Sequence, residues 1–341
     1  MKYNLLGNTG LLVSELCLGT MTFGNQGLFG AIGGLGQKEA DELVKKAIDS
    51  GVNFIDTANV YSGGQSEEIT GQAIRNLGIP RNSLVLATKV RSAVSETPGP
   101  NDKGLSRKHI MHEVDASLRR LQTDYIDLYQ IHSFDPLTPL EETIKTLDDL
   151  VHSGKVRYIG ASNLAAWQFM RALDYSHYNQ LERFVSLQAY YSLVGRDLER
   201  EIVPMLLHEK VGLMVWSPLA GGFLSGKYSR EDSKDKIGRR SNLDFPPVDK
   251  EKGFDVIDVL RGIAQGKSTS ITQLSLAWLL HQPVVSSVII GVKNITQLDD
   301  NLKASEIRFS TKELEQLGAI SKLNEEYPGW IFDFSKDRTL D

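Results

Sequence analysis

Residues 37–56 read QKEADELVKKAIDSGVNFID, and this stretch holds the repeating unit of the fold. Over Gln37–Ser50 the apolar residues Ala40, Leu43, Val44, Ala47 and Ile48 recur at helical spacing, which lays them on one face. Gly51 suits the C-terminal cap of that helix, because glycine enters the left-handed region without steric cost. Val52–Asp56 (VNFID) is then a short apolar run that ends on a carboxylate. The unit is an amphipathic helix, a tight reversal, and a buried strand with an acid at its C-terminal end.

The same unit repeats in both directions. Upstream, Glu15–Thr20 (ELCLGT) reads as a strand. Downstream come a helix over 66–77, the strand Leu84–Lys89, and a helix opened by Ser106 with Ile110, Val114, Leu118 and Leu121 in register. The strand Tyr125–Ile131 follows. Thr138-Pro139-Leu140-Glu141 predicts a capping box with proline in the first turn of a helix that ends near Gly154. The alternation continues through strand Val156–Ala161, helix 164–175, strand Phe184–Gln188, helix 199–209 and strand Val211–Trp216. Helix Ile271–His281, strand Ser286–Ile290 and helix Thr296–Ala304 close it.

Eight strands in this alternation can form a doubly wound sheet or a closed barrel. The strand ends decide between them. Asp56, Lys89, His132, Ser162 with Asn163, Gln188, and Trp216 with Ser217 each stand at or just past the C-terminal end of a different strand. A barrel gathers all such ends around one pocket, whereas an open sheet concentrates chemistry at one switch point. The Gly-x-Gly-x-x-Gly dinucleotide fingerprint is also missing after the first strand. The expected fold is therefore a (β/α)₈ TIM barrel forming one domain over 1–341. Three pieces lie outside it. Tyr3–Val13, with the turn Gly7-Asn8-Thr9-Gly10, reads as a β-hairpin plugging the barrel bottom. Residues 218–253 read as a long loop rich in Gly, Ser, Lys and Asp, and the chain ends in a capped helix from Ser310 and an aromatic tail.

Composition narrows the function classes. Of 341 residues, 41% are hydrophobic and 24% charged, which is enough apolar surface for a large core. The net charge of -5 gives no reason to expect a nucleic acid or an anionic membrane as partner. Cys17 is the single cysteine, so an intrachain disulfide and a multi-cysteine metal site are both excluded, and no metal is expected. Met1–Gly10 lacks a long apolar run after a basic start, and no stretch approaches about 18 apolar residues. A cytoplasmic protein is the expectation. No motif for self-association stands out.

The segment Gly51–Tyr61 (GVNFIDTANVY), Lys89 in ATK and His132 in QIH together resemble the aldo-keto reductase superfamily. The opening LGNTGLLVSELCLGTMTFG, GKVRYIGASN, WSPLAGGFLSGKY and IIGVKNITQLDDNL extend the resemblance over nearly the whole chain. Its closest flavour is the bacterial branch similar to the β subunits of voltage-gated potassium channels. The resemblance implies carbonyl reduction with a nicotinamide cofactor. Tyr61 is then the general acid, Lys89 favours its phenolate, Asp56 holds Lys89, and His132 orients the carbonyl. Taken singly, each has a plainer reading: a turn-capping Asp, a packing Tyr, a surface Lys, a structural His.

The resemblance also implies a cofactor track. Ser162, Asn163 and Gln188 serve the nicotinamide carboxamide, Gly19, Thr20 and Met21 the ribose, and Trp216 stacks on the ring. Asp56 borders the same site. Ser217, Leu219, Gly221 and Lys227 lie along the pyrophosphate. Gly291, Lys293 and Gln297 reach the 2′-phosphate, with Asp300 and Asn301 at the adenine. Relatives commonly carry an arginine in this last stretch; here the cation is Lys293, and no arginine occurs until Arg308. Ile290 replaces a common proline. NADP(H) is favoured over NAD(H). Met21, Phe23, Tyr61, Val90, His132 and Phe134, with the tail residues Trp330 and Phe332, are the candidates for the pocket of a small carbonyl substrate. The uncharged insertion 24–36 offers no anchor for a charged one. Two other readings fit the same residues: an NADPH-binding sensor with little turnover, and a Schiff-base aldolase built on Lys89.

Overall fold

The computed structural model describes residues 1–27, 33–230, 240, 243–332 and 334. Two short strands, β1 (Tyr3–Leu5) and β2 (Leu12–Ser14), form an antiparallel hairpin. Eight parallel strands follow: β3 (Leu16–Gly19), β4 (Phe54–Asp56), β5 (Val85–Val90), β6 (Ile126–Ile131), β7 (Val156–Ser162), β8 (Phe184–Tyr190), β9 (Gly212–Trp216) and β10 (Val285–Gly291). They close into a barrel in chain order, with β10 pairing back onto β3. The (β/α)₈ expectation holds. Outside the strands pack α1 (Gln37–Asp49), α2 (Gln65–Asn76), α3 (Arg107–Leu121), α4 (Leu140–His152), α5 (Ala166–Asn179) and α6 (Ile202–Glu209). The chain continues with α7 (Lys250–Lys267), α8 (Ile271–Leu280), α9 (Ile295–Leu302) and α10 (Thr311–Ile320).

Strand alternation sorts the apolar residues into two layers. Ile55, Leu86, Val90 and Ile131 point outward and pack with helix residues such as Leu43, Val44 and Ile110. Cys17, Phe54, Val85, Ala87, Leu128 and Met214 point inward and fill the lower barrel. Burying each large apolar side chain stabilises by roughly 1.5–3 kcal/mol.

The hairpin plugs the bottom, as its sequence predicts. Leu6 and Val13 join the inner apolar layer. Asn4 donates to the Ser286 carbonyl and Ser286 Oγ donates to the Leu5 carbonyl, both at 3.0 Å, which ties the hairpin to β10. Gly7 has φ +61°, and a Cβ there would stand 2.3 Å from the Val185 carbonyl oxygen, so the turn fits only as glycine. With that end sealed, the C-terminal ends of the strands form the mouth.

Two local expectations fail. The capping box at Thr138 does not form: the Thr138 hydroxyl donates to Asp135 Oδ2 at 2.7 Å, and Pro139 is the N-cap, without a side-chain bond. Asp135 also accepts from the backbone of Leu105 and Leu137, so it organises the loop after β6 and takes Thr138 with it. The other failure is α7, which has no counterpart in the sequence reading. Gly253, Gly262 and Gly266 weaken its helical signal. Its face of Phe254, Ile257, Leu260 and Ile263 is nevertheless buried, and Asp249 caps it by accepting from the Lys252 backbone. Of the long loop over 218–253, residues 231–239 and 241–242 lie outside the described residues, as do 28–32 of the glycine-rich insertion. Among the described residues no helix is long and apolar enough to cross a membrane.

Candidate active site

The last inward position on several strands is polar. Asp56 ends β4, Lys89 stands near the end of β5, Gln130 near the end of β6, and Gln188 on β8. All four are buried, and they meet at the barrel axis. Asp56 Oδ2 accepts from Lys89 Nζ at 2.6 Å, while Oδ1 accepts from the amides of Gln130 and Gln188 at 3.0 Å each. Lys89 Nζ also donates to the Thr57 carbonyl at 2.8 Å and to the Tyr61 hydroxyl at 3.3 Å. An ammonium has three protons, and all three are used.

That saturation explains the charge state. Burial by itself lowers the pKa of Lys89, but the Asp56 carboxylate and Tyr61 outweigh it and hold the pKa above its ordinary value. His132 responds in the opposite way. Burial first, then the positive charges of Lys89 and Arg91, push its pKa down to about 3, so it is a neutral imidazole at neutral pH. Its ring meets that of Tyr61 edge-on at 5.8 Å. Its Nδ1 is buried without a hydrogen-bond partner among the described residues. Tyr61, His132, Lys89 and Asp56 are thus brought together as the sequence reading groups them.

The rim residues are less uniform. Asn163, in the left-handed conformation at φ 55°, donates to the His132 carbonyl at 3.0 Å and to Ser162 Oγ at 2.9 Å. Its Oδ1 accepts from Trp216 Nε1 at 3.0 Å, which fixes the indole. That indole already packs against Tyr190 at 5.3 Å and lies nearly parallel to Phe245 at 5.9 Å. Ser217, Ala220, Gly221 and Gly222 all have positive φ and curl the backbone after β9. A Cβ on Gly221 would come within 2.4 Å of the Phe245 carbonyl oxygen. Leu219 is half-buried in the same turn.

Gly291 pairs with Gly19 in register, so the β10 end adjoins Thr20 and Met21. Thr20 is buried, with its hydroxyl on Ser66. Lys227 and Lys293 are exposed, and neither has an ion-pair partner among the described residues. Gln297 Oε1 accepts from the Lys293 backbone. Asn301 is buried. Asp300 has both oxygens occupied, by Gln273 and Ser270 at the start of α8, so its side chain is committed inside the protein.

The apolar pocket candidates divide. Phe134 is half-buried and meets the exposed Trp167 edge-on at 6.3 Å. Phe23 and Val90 are fully buried in the layer between strands and helices. Val90 follows Lys89, and alternation turns it to the opposite, outer face of the strand, away from Lys89. Trp330 and Phe332 are exposed on the tail, where Trp330 packs on Tyr327. The residue most clearly missed is Gln130. Two positions after the inward Leu128 on β6, it shares that strand's inner face.

A closed parallel barrel with a buried, fully bonded lysine at its mouth is the architecture of a barrel enzyme whose chemistry sits at the strand ends. The chain belongs to the aldo/keto reductase family, whose model matches residues 15–322. It is 37% identical over 326 residues to the "Uncharacterized oxidoreductase YrpG" of Bacillus subtilis, covering 94% of this chain and 96% of that one. It is 35% identical over 333 residues to versiconal hemiacetal acetate reductase of Aspergillus parasiticus, covering 93% and 96%. It is also 38% identical over 316 residues to the "Probable voltage-gated potassium channel subunit beta" of Arabidopsis thaliana, covering 90% and 92%. Membership in this family implies oxidoreductase activity.

Proposed function

We propose that the protein is a cytoplasmic, single-domain NADP(H)-dependent reductase that converts aldehydes and ketones, reducing sugars among the candidates, to alcohols. The observation that carries this reading is the fully buried Lys89 ammonium, bonded at once to Asp56 and to the Tyr61 hydroxyl. When bound, NADPH supplies the hydride. Tyr61 gives its proton to the carbonyl oxygen as negative charge develops there. The Lys89 ammonium stabilises the phenolate that remains, and Asp56 keeps Lys89 charged and aimed. His132, neutral, contributes a hydrogen bond and no net charge. The same geometry disfavours a Schiff base, because an ion-paired, fully buried ammonium has no lone pair to offer.

The residues present fit the cofactor. Ser162, Asn163 and Gln188 place polar groups beside the buried cluster, and Trp216 presents an indole fixed by Asn163. Lys227 and Lys293, exposed and without an ion-pair partner among the described residues, suit the pyrophosphate and the 2′-phosphate. Met21 with the Phe134–Trp167 pair supports the non-reacting end of the substrate. The test is consumption of NADPH, followed by the absorbance of the reduced nicotinamide, against aldehydes, diketones and sugars, repeated with NADH. Turnover with at least one carbonyl, faster with NADPH, is expected. Tight NADPH binding without turnover on any carbonyl would instead favour a sensor.

A further inference from the structure

Tyr61 is followed by three residues in the left-handed region: Ser62, Gly63 and Gly64, with φ of 49°, 63° and 93°. Ser62 is not a glycine, and its buried hydroxyl has no partner among the described residues. A run of this kind persists only where its surroundings over-determine it. Gly24 closes one side: a Cβ there would stand 2.8 Å from the Ser62 Cβ and 2.9 Å from the Gln65 Cβ. The other side is closed by a charged group, since a Cβ on Gly64 would come within 2.9 Å of the Arg120 Cδ.

Arg120 belongs to a buried cluster that the proposed chemistry does not use. Its Nε donates to Glu67 Oε2 at 2.6 Å, and its Nη2 pairs with Glu113 and reaches Ser117 Oγ at 3.3 Å. Glu67 is fully buried in the first turn of α2, and its other oxygen accepts from Thr88 Oγ1 at 2.5 Å. Thr88 is the residue before Lys89. One ion pair therefore ties together the helix that follows the Tyr61 turn, the strand that carries Lys89, and α3. A buried ion pair contributes little net stability compared with apolar packing, so fixing a geometry is the better account of this one.

We propose that Glu67 and Arg120 are positioning residues that hold the Tyr61 turn against β5 and so set the separation of the Tyr61 hydroxyl from Lys89. This rests on the reductase reading above. Lys89 donates to the Tyr61 hydroxyl and the His132 ring meets the Tyr61 ring edge-on, and neither residue belongs to the cluster.

The experiment compares the full-length wild type with Arg120→Met for kcat, KM, cofactor affinity, the pH dependence of kcat, and thermal unfolding. A misplaced Tyr61 predicts that kcat falls about tenfold or more, with KM and cofactor affinity within about twofold. The high-pH limb of kcat moves upward, because Tyr61 then lies farther from the ammonium. Arg120→Lys, which keeps one charge on Glu67, restores part of the rate. If Arg120→Met does not fold, Glu113→Gln loosens Arg120 while Glu67 stays paired, and it shows the same changes at smaller size. A lowered unfolding temperature with unchanged kcat and an unchanged pH limb overturns the proposal. Turnover that survives Tyr61→Phe removes the reductase reading and this inference together. Loss of turnover in Tyr61→Phe, with no kinetic effect in the Arg120 and Glu113 variants, removes this inference alone.

Discussion

Two residues of strand separate the driest part of the barrel interior from its most charged part. On β4 the inward positions are Phe54 and then Asp56; on β5, Ala87 and then Lys89; on β6, Leu128 and then Gln130. Below, the apolar layer packs onto the hairpin plug. Above, a buried ammonium and a carboxylate are tolerated because each has a full set of partners. The same alternation builds both layers. The lower one makes the barrel, and the upper one is placed by it.

One substitution in each layer separates their roles most sharply. Lys89→Met leaves Asp56 buried without its cation, and Phe54→Ala opens a cavity; each is expected to cost about 3–5 kcal/mol in urea unfolding. Turnover by the folded fraction should vanish in the first variant and survive in the second. If Lys89→Met turns over normally, the upper layer is only a polar core.

A smaller effect separates the layers by pH. His132 is held at about 3 in the folded protein, against about 6.5 for an unfolded histidine. Below pH 6.5 the unfolded chain takes up a proton that the folded site refuses, so this contribution to stability is lost as pH falls toward 3. Between pH 7.5 and pH 5 the loss is about 2 kcal/mol. Urea titrations of wild type and His132→Gln at the two pH values should differ by that amount; an equal pH dependence in both would mean that His132 is protonated in the fold. Smallest is the rim. Lys293→Met should weaken NADPH binding roughly tenfold, with NADH nearly unaffected, because the ammonium meets only the extra phosphate. Equal losses for both cofactors would place Lys293 elsewhere on the track.

Much of this was legible in the sequence, for identifiable reasons. Helix periodicity and strand-end polarity announced the barrel, and Ser106 and the Ser310–Glu313 box cap their helices as their spacing predicts. The four grouped residues Asp56, Tyr61, Lys89 and His132 also meet as expected. Thr138 failed because a tertiary partner, Asp135, outcompeted the local cap. Helix α7 failed because its glycines mute a face that only packing reveals. Val90 was misplaced because nearness to Lys89 in sequence means the opposite face in a strand. Glu67 and Arg120 were invisible because their pairing spans 53 residues.

The most direct test of the upper layer as a proton-delivery site is Tyr61→Phe, assayed for carbonyl turnover and for NADPH binding by fluorescence. The ring and its packing remain, and only the hydroxyl is lost. Proton delivery by Tyr61 predicts turnover reduced by about 10²–10⁴-fold with NADPH affinity within about twofold. Turnover retained at the wild-type level would contradict it.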